Sequence, residues 1–126
     1  MNGALLGLGI DSVDIPRFAE VLERRPALAE RLFTVGERRY AASLANPVPS
    51  LAARFAAKEA VMKALGVGLG AFSWGDAEVV RAGSGAPSLR VTGRAESLAS
   101  QRGVRAWHLS ITHTATVASA VVAAIS

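Results

Sequence analysis

The apolar positions of this chain fall into strand-like and helix-like runs punctuated by glycine and proline. Residues 4–14, ALLGLGIDSVD, carry Leu5, Leu6, Leu8, Ile10 and Val13 with Gly7 and Gly9 between them, which reads as a first strand that emerges at Asp11. Pro16 suits the first turn of a helix and Asp14 stands just ahead of it, so IPRFAEVLERR is expected to be helical until Pro26. PALAERLF adds a further helical turn. Thr34 and Glu37 have capping-box spacing and open a helix running to about Leu44. After the turn-rich ANPVPS comes a helix over 50–65, with Ser50 following Pro49 as its N-cap and Gly66 as its stop.

The remaining pattern is shorter in period. GVGLGAFSWG at 66–75 is a glycine-rich loop. DAEVV and SLRVT read as short strands joined by the turn RAGSGAP, and GRAESLASQRG as a helix ending at Gly103. AWHLSIT (106–112) and TVASAVVAAI (116–125) make a closing hairpin around HTA. The order β-α-α-α-β-β-α-β-β predicts an α+β fold, with a mainly antiparallel sheet packed with helices in a single domain over 1–126. There is no internal repeat, low-complexity tract or linker.

The helix over 50–65 breaks the pattern. Its polar residues from Arg54 to Leu65 are all charged: Arg54, Lys58, Glu59 and Lys63. The rest are alanine or larger apolar residues, so the helix is expected to be packed on most sides. Glu59 and Lys63 lie about 40° apart on one flank, and Arg54 and Lys58 about 40° apart on another. Spacing alone favours the plain reading, a Glu59–Lys63 pair along the helix with Arg54 and Lys58 reaching out to water. The other reading is a site for an anion and a metal, because buried ions need partners.

Composition narrows the field. With 51% hydrophobic and 19% charged residues over 126 positions, the chain suits one packed domain and not a disordered one. The absence of cysteine excludes disulfides and thiolate-bound zinc. A net charge of +4, mostly from arginine, favours anionic partners without choosing among them. No basic leader and no span of ~20 apolar residues is present, so a soluble cytoplasmic protein with no membrane role is expected.

Further candidate chemistry is scattered. Asp11 sits where the first strand is expected to give out, either a turn residue or a functional carboxylate. In LSITHT (109–114), Trp107, Leu109 and Ile111 share one face, with His108, Ser110 and Thr112 on the other. His113 falls at the hairpin turn, a surface residue or part of a phosphate site. Ser110 lacks a G-x-S-x-G elbow, which argues against a Ser–His nucleophile pair. GVGLG follows a helix, so it is no dinucleotide fingerprint. Arg17, Arg24 and Arg31 recur every seven residues and form one basic stripe if the helical phase survives Pro26. That stripe is either a solvated face or a docking surface.

Three motifs now stand together: G-I-D-x-V-D-I-x-R-F at 9–18, R-F-A-A-K-E-A-x-x-K-A-L-G at 54–66 and L-S-I-T-H-T at 109–114. In this order and spacing, with F-T-x-x-E at 33–37 and G-x-P at 85–87, they closely resemble the holo-acyl-carrier-protein synthase family, small stand-alone 4'-phosphopantetheinyl transferases. The resemblance covers nearly the whole chain. It implies the 4'-phosphopantetheinyl transferase fold and transfer of the phosphopantetheine arm of coenzyme A to a serine of apo-acyl-carrier protein. It further implies release of adenosine 3',5'-bisphosphate, Mg²⁺ dependence (Mn²⁺ can substitute) and a place in fatty-acid biosynthesis.

Residue by residue, the resemblance makes Asp11 and Glu59 the metal carboxylates and Lys63 the lysine near the phosphates. Arg54, Lys58, Lys63, Gly66, Pro87, His113 and Thr114 fall on or beside coenzyme A-binding segments. Arg17, Val21, Arg24, Leu28 and Arg31 match the carrier-docking helices. Relatives are typically homotrimers with active sites at subunit interfaces. Val67 and Leu69 stand where many relatives have Thr and Ile, and Met62 where small residues are tolerated, which bears on packing or coenzyme A contacts. Two rival functions are a non-catalytic basic module for an acidic protein or RNA, and a metal-dependent nucleotide hydrolase. The first wants exposed aromatics interleaved with the basic residues, and the seven aromatics here are scattered.

Overall fold

The computed structural model describes residues 3–81, 83 and 85–126, so Ala82 and Ser84 of the expected 81–87 turn lie outside the described residues. Strand β1 (Leu5–Asp14) leads into α1 (Ile15–Arg24), α2 (Leu28–Leu32), α3 (Val35–Ala42) and the long α4 (Val48–Leu65). A 3-10 turn (Trp74–Asp76) precedes β2 (Ala77–Val80) and β3 (Ser88–Val91). Helix α5 (Gly93–Gln101), β4 (Ala106–His113) and β5 (Val117–Ile125) complete the chain. All the strand pairs are antiparallel: β1-β5-β4 form one sheet and β2-β3 a second. The α+β expectation holds.

Several boundaries differ for local reasons. Four helices, not three, separate β1 from β2, because the residue before Pro26 is pushed out of helical geometry: Arg25 has φ −133° and ψ 73°. Strand β1 does not end at Asp11 but stays paired with β5 as far as Asp14. Asp14 then caps α1 by accepting the Arg17 N–H at 3.0 Å. Helix α4 starts two residues before Ser50, with Pro47 at its N-cap. The Ser50 hydroxyl is no cap; it accepts from Arg54 Nη1 at 2.6 Å. The Thr34–Glu37 capping box and the left-handed Gly66 (φ 69°) are as expected.

What positions the site is the contact between β1 and α4. A Cβ on Gly7 would stand 1.9 Å from the Ala64 carbonyl oxygen, and one on Gly9 1.8 Å from that of Ala60. Only glycine permits this approach, and Ala60 and Ala64 present no bulk of their own. Behind them Ala118, Ala120, Val122 and Ala124 of β5 are buried against the helix. Small residues on both sides therefore bring two backbones together, and the side chains just beyond Gly9 arrive beside those one turn along α4.

A second cluster fills the space under α1–α3, built from Ile15, Phe18, Leu32, Phe33 and Leu51. Phe18 stacks on Phe55 at 5.3 Å between ring centroids, and Phe55 lies 5.2 Å from Trp74. The other face of the large sheet is left open: Leu8 and Ile10 of β1 are about 60% exposed, and Val117 and Val121 of β5 are exposed too. Among the described residues no helix is long and apolar enough to cross a membrane.

Candidate active site

The four charges of α4 have four different surroundings. Lys58 is wholly buried. Its three N–H groups donate to Glu37 Oε1 at 2.7 Å and to the carbonyls of Trp74 and Ala77 at 3.1 and 2.9 Å. Glu37 is equally satisfied, accepting also from the Thr34 and Val79 N–H groups at 3.0 and 2.9 Å. Burial lowers the Lys58 pKa and the Glu37 charge opposes that shift. This pair ties α3, α4 and β2 together, with both side chains fully buried and all three Lys58 N–H donors used. The expectation that Lys58 contacts coenzyme A is therefore corrected: it is a core residue.

Arg54 lies 2% exposed, its guanidinium 4.6 Å from the centre of the Tyr40 ring. Nη1 is bound to Ser50, while Nε is buried with no acceptor. It lines a cavity of about 460 Å³ with Tyr40, Arg81, Thr112 and His113. Two expected coenzyme A residues, Arg54 and His113, thus meet in one place. His113 is the last residue of β4, opposite Ala118, rather than part of the turn. Thr114 is exposed, but its Oγ1 already accepts the N–H groups of Thr116 and Val117. Gly66 caps α4, and Pro87 precedes β3; neither lines this cavity.

On the opposite flank Lys63 turns away from its own helix. Its ammonium donates to the Ile10 carbonyl at 2.9 Å and Asp11 Oδ1 at 3.2 Å, so the expected Glu59–Lys63 pair is replaced by one across to β1. Lys63 is half-exposed, so this pair contributes under about 1 kcal/mol. Asp11 is only 15% exposed in its side chain, and its Oδ2 is buried without a partner. Burial holds the Glu59 carboxyl above the ordinary glutamate range, the charge of Asp11 and its close side-chain approach to Glu59 add to this, and Lys63 pulls the other way. Two carboxylates are thus held near one another with an acceptor unmet.

Glu59 also lines a groove of about 460 Å³ together with Phe18, Leu32, Phe55 and Trp74. Arg17, Val21, Leu28 and Arg31 of the expected docking set line it, on both sides of the break at Pro26. Arg24, two turns along α1 from Arg17 and at the end of that helix, does not. Met62 is buried in the core, which makes its substitution a packing matter, and Leu69 is 75% exposed on the glycine-rich loop.

Some partners of these charges escaped the sequence. Glu37 showed only its capping-box spacing; nothing in the order of residues links it to Lys58. Tyr40 and Arg81 carried no motif at all. The Gly7–Gly9 pair was visible, and its use needed the facing alanines.

Residues 7–124 match the 4'-phosphopantetheinyl transferase superfamily. The holo-[acyl-carrier-protein] synthase of Frankia alni is 51% identical over 123 residues, covering 98% of this chain and 99% of the relative. That of Streptomyces griseus is 51% identical over 120 residues, covering 95% and 98%. Among solved structures, the Neisseria meningitidis holo-[acyl-carrier-protein] synthase superposes with a TM-score of 0.87 at 29% identity, covering 96% of this chain and 98% of that one. The Bacillus anthracis enzyme, in complex with CoA (3',5'-ADP), gives 0.80 at 34% identity with 97% of each chain covered. The fold is therefore that of a 4'-phosphopantetheinyl transferase. Within that superfamily the chain belongs to the holo-[acyl-carrier-protein] synthase family, and it is an enzyme of that class.

Proposed function

We propose that this enzyme moves the 4'-phosphopantetheine arm of coenzyme A onto a serine of apo-acyl-carrier protein in a Mg²⁺-dependent reaction that releases adenosine 3',5'-bisphosphate. The observation that carries the metal assignment is the buried, unpartnered Asp11 Oδ2 beside the half-buried Glu59. No group of three or more His, Cys, Asp or Glu side chains is gathered among the described residues. A pair of hard oxygen donors suits Mg²⁺, which takes one or two carboxylates and leaves its other positions to water and phosphate oxygens; Mn²⁺ fits the same donors. Asp11 and Glu59 would hold the ion. When bound, it would supply charge stabilisation to the diphosphate under attack.

The chain's own groups divide the remaining work. Lys63, tethered to β1, sets a positive charge beside Asp11 where the leaving phosphate gains negative charge. Glu59 accepts the serine proton, directly or through a water it holds. Arg54 and His113, in a cavity with Arg81 and no carboxylate lining, receive the phosphate-bearing adenosine end of coenzyme A. The groove that Glu59 lines receives the carrier: Arg17 and Arg31 face an acidic helix beside apolar lining from Val21, Leu28 and Phe55. Arg24, outside the groove, steers the carrier by its field.

A homotrimer with active sites at subunit boundaries belongs to the same reading. Leu8, Ile10, Val117 and Val121 give the large sheet an exposed apolar face of the kind oligomers cover. The cavity of Arg54 and His113 and the groove of Glu59 share no lining residue. One coenzyme A reaching both kinds of group is thus best placed between two chains. The reading also carries a cytoplasmic location and a part in fatty-acid biosynthesis. It is tested by incubating the protein with coenzyme A, Mg²⁺ and apo-carrier and weighing the carrier. A gain of one phosphopantetheine mass supports it; no gain with several carriers overturns it.

A further inference from the structure

The cavity that holds Arg54 and His113 has a feature which the reading above leaves unused. Two guanidiniums lie over a single aromatic ring: Arg54 Cζ at 4.6 Å and Arg81 Cζ at 5.6 Å from the centre of Tyr40. Two cations so placed repel each other; no Asp or Glu is among the described residues lining this cavity, and the Glu37 charge behind it opposes part of the repulsion on Arg54. The neighbouring carboxylates already have partners. Glu37 is occupied by Lys58 and two backbone N–H groups, and Glu78, which lines a small adjoining cavity together with Tyr40, Arg54 and Arg81, accepts the Thr34 hydroxyl. Arg54 keeps a buried Nε without an acceptor. Among the described residues, the Ser50 hydroxyl and the Tyr40 face hold the guanidinium in place.

An aromatic face attracts a guanidinium stacked on it and leaves the N–H edges free. Two forks gathered on one ring present edges suited to a phosphate monoester, which is doubly charged and takes several N–H donors. We propose that Tyr40 is a positioning residue that gathers Arg54 and Arg81 into a two-guanidinium clamp for the phosphate monoester at the adenosine end of coenzyme A. This rests on the transferase reading for the identity of the ligand. The ring face does the positioning, so the phenolic hydroxyl is dispensable.

The test compares coenzyme A with 3'-dephospho-coenzyme A as donors, for wild type, Tyr40→Phe, Tyr40→Leu and Arg81→Gln. Tyr40→Leu is expected to raise KM for coenzyme A about tenfold, with kcat and KM for the carrier within about twofold of wild type. Tyr40→Phe should behave as wild type, and with the dephosphorylated donor all four proteins should converge. Arg81 is exposed, so Arg81→Gln tests the clamp even where Tyr40→Leu does not fold, and it too should lose preference for coenzyme A. Unchanged preference in both variants, or a fall in kcat shared by both donors, overturns the clamp. A wild type that transfers no arm fails the transferase reading instead. The clamp is then read from calorimetric binding of adenosine 3',5'-bisphosphate against adenosine 5'-monophosphate, and equal affinities overturn it.

Discussion

The two flanks of α4 carry the same kinds of charge in opposite circumstances. On one, Lys58 and Glu37 are wholly buried and each of their polar side-chain atoms is bonded within the chain. On the other, Asp11, Glu59 and Lys63 are partly exposed, Asp11 keeps a buried oxygen without a partner, and Glu59 is held above its ordinary pKa. Burial by itself does not distinguish a functional charge from a structural one. Unmet bonding capacity does. A satisfied ion pair has nothing left for a ligand, whereas an unmet acceptor beside a second carboxylate is costly until something fills it.

This contrast can be broken in order of effect. Glu59→Gln should cut transfer by about 10³-fold or more, since a charged ligand and proton acceptor are lost together. Its melting temperature without metal should match or exceed that of wild type. Full activity in this variant would remove Glu59 from the metal site. Lys58→Met should do the reverse: about 3–5 kcal/mol of stability is lost in denaturant titration, because Glu37 stays buried and unpaired. The folded fraction should still transfer the arm. Adding Glu37→Gln should recover part of the loss, and no recovery would show that the pair is not the cause.

A smaller effect is expected at the groove. Arg17→Ala and Arg31→Ala should each raise KM for the carrier by about tenfold or less, more at low salt, with KM for coenzyme A unchanged. Equal changes in both constants would argue against carrier docking there. The smallest effect concerns pH. The folded pKa of Glu59 is raised by burial and by Asp11, so between the ordinary glutamate pKa and that raised value the folded protein holds a proton the unfolded chain has lost. Stability without metal should therefore fall as pH rises through that window. Glu59→Gln should flatten the slope, and saturating Mg²⁺ should too. A slope that persists in Glu59→Gln would assign it to another group.

Much of the fold was readable because its signals are local. Gly66 stops α4 by its left-handed backbone, and the Thr34–Glu37 box opens α3. Alternation in β4 puts Trp107, Leu109 and Ile111 inward, as read. Boundaries failed where proline chemistry competed: Pro47 and Pro49 are both accommodated at the start of α4, so the helix begins ahead of Ser50. The break at Pro26 ended the first helix before Arg31, yet Arg17 and Arg31 line one groove across it, while Arg24, two turns along α1, does not.

The sequence by itself determined the element types, the small-residue surfaces of β1 and α4, and the presence of four charges on a helix with almost no polar neighbours. Its three spaced motifs were enough to place the chain in its family. Only the tertiary structure decided what each charge is for. Lys58 and Glu37 stand 21 residues apart and Lys63 and Asp11 52 apart, and no periodicity connects such positions. The connection arises where Gly7 and Gly9 let β1 approach Ala60 and Ala64, and where the turn at 74–77 lays its carbonyls over Lys58. Partners for buried charge are chosen by which backbones can come within contact distance, and that is a property of packing in three dimensions.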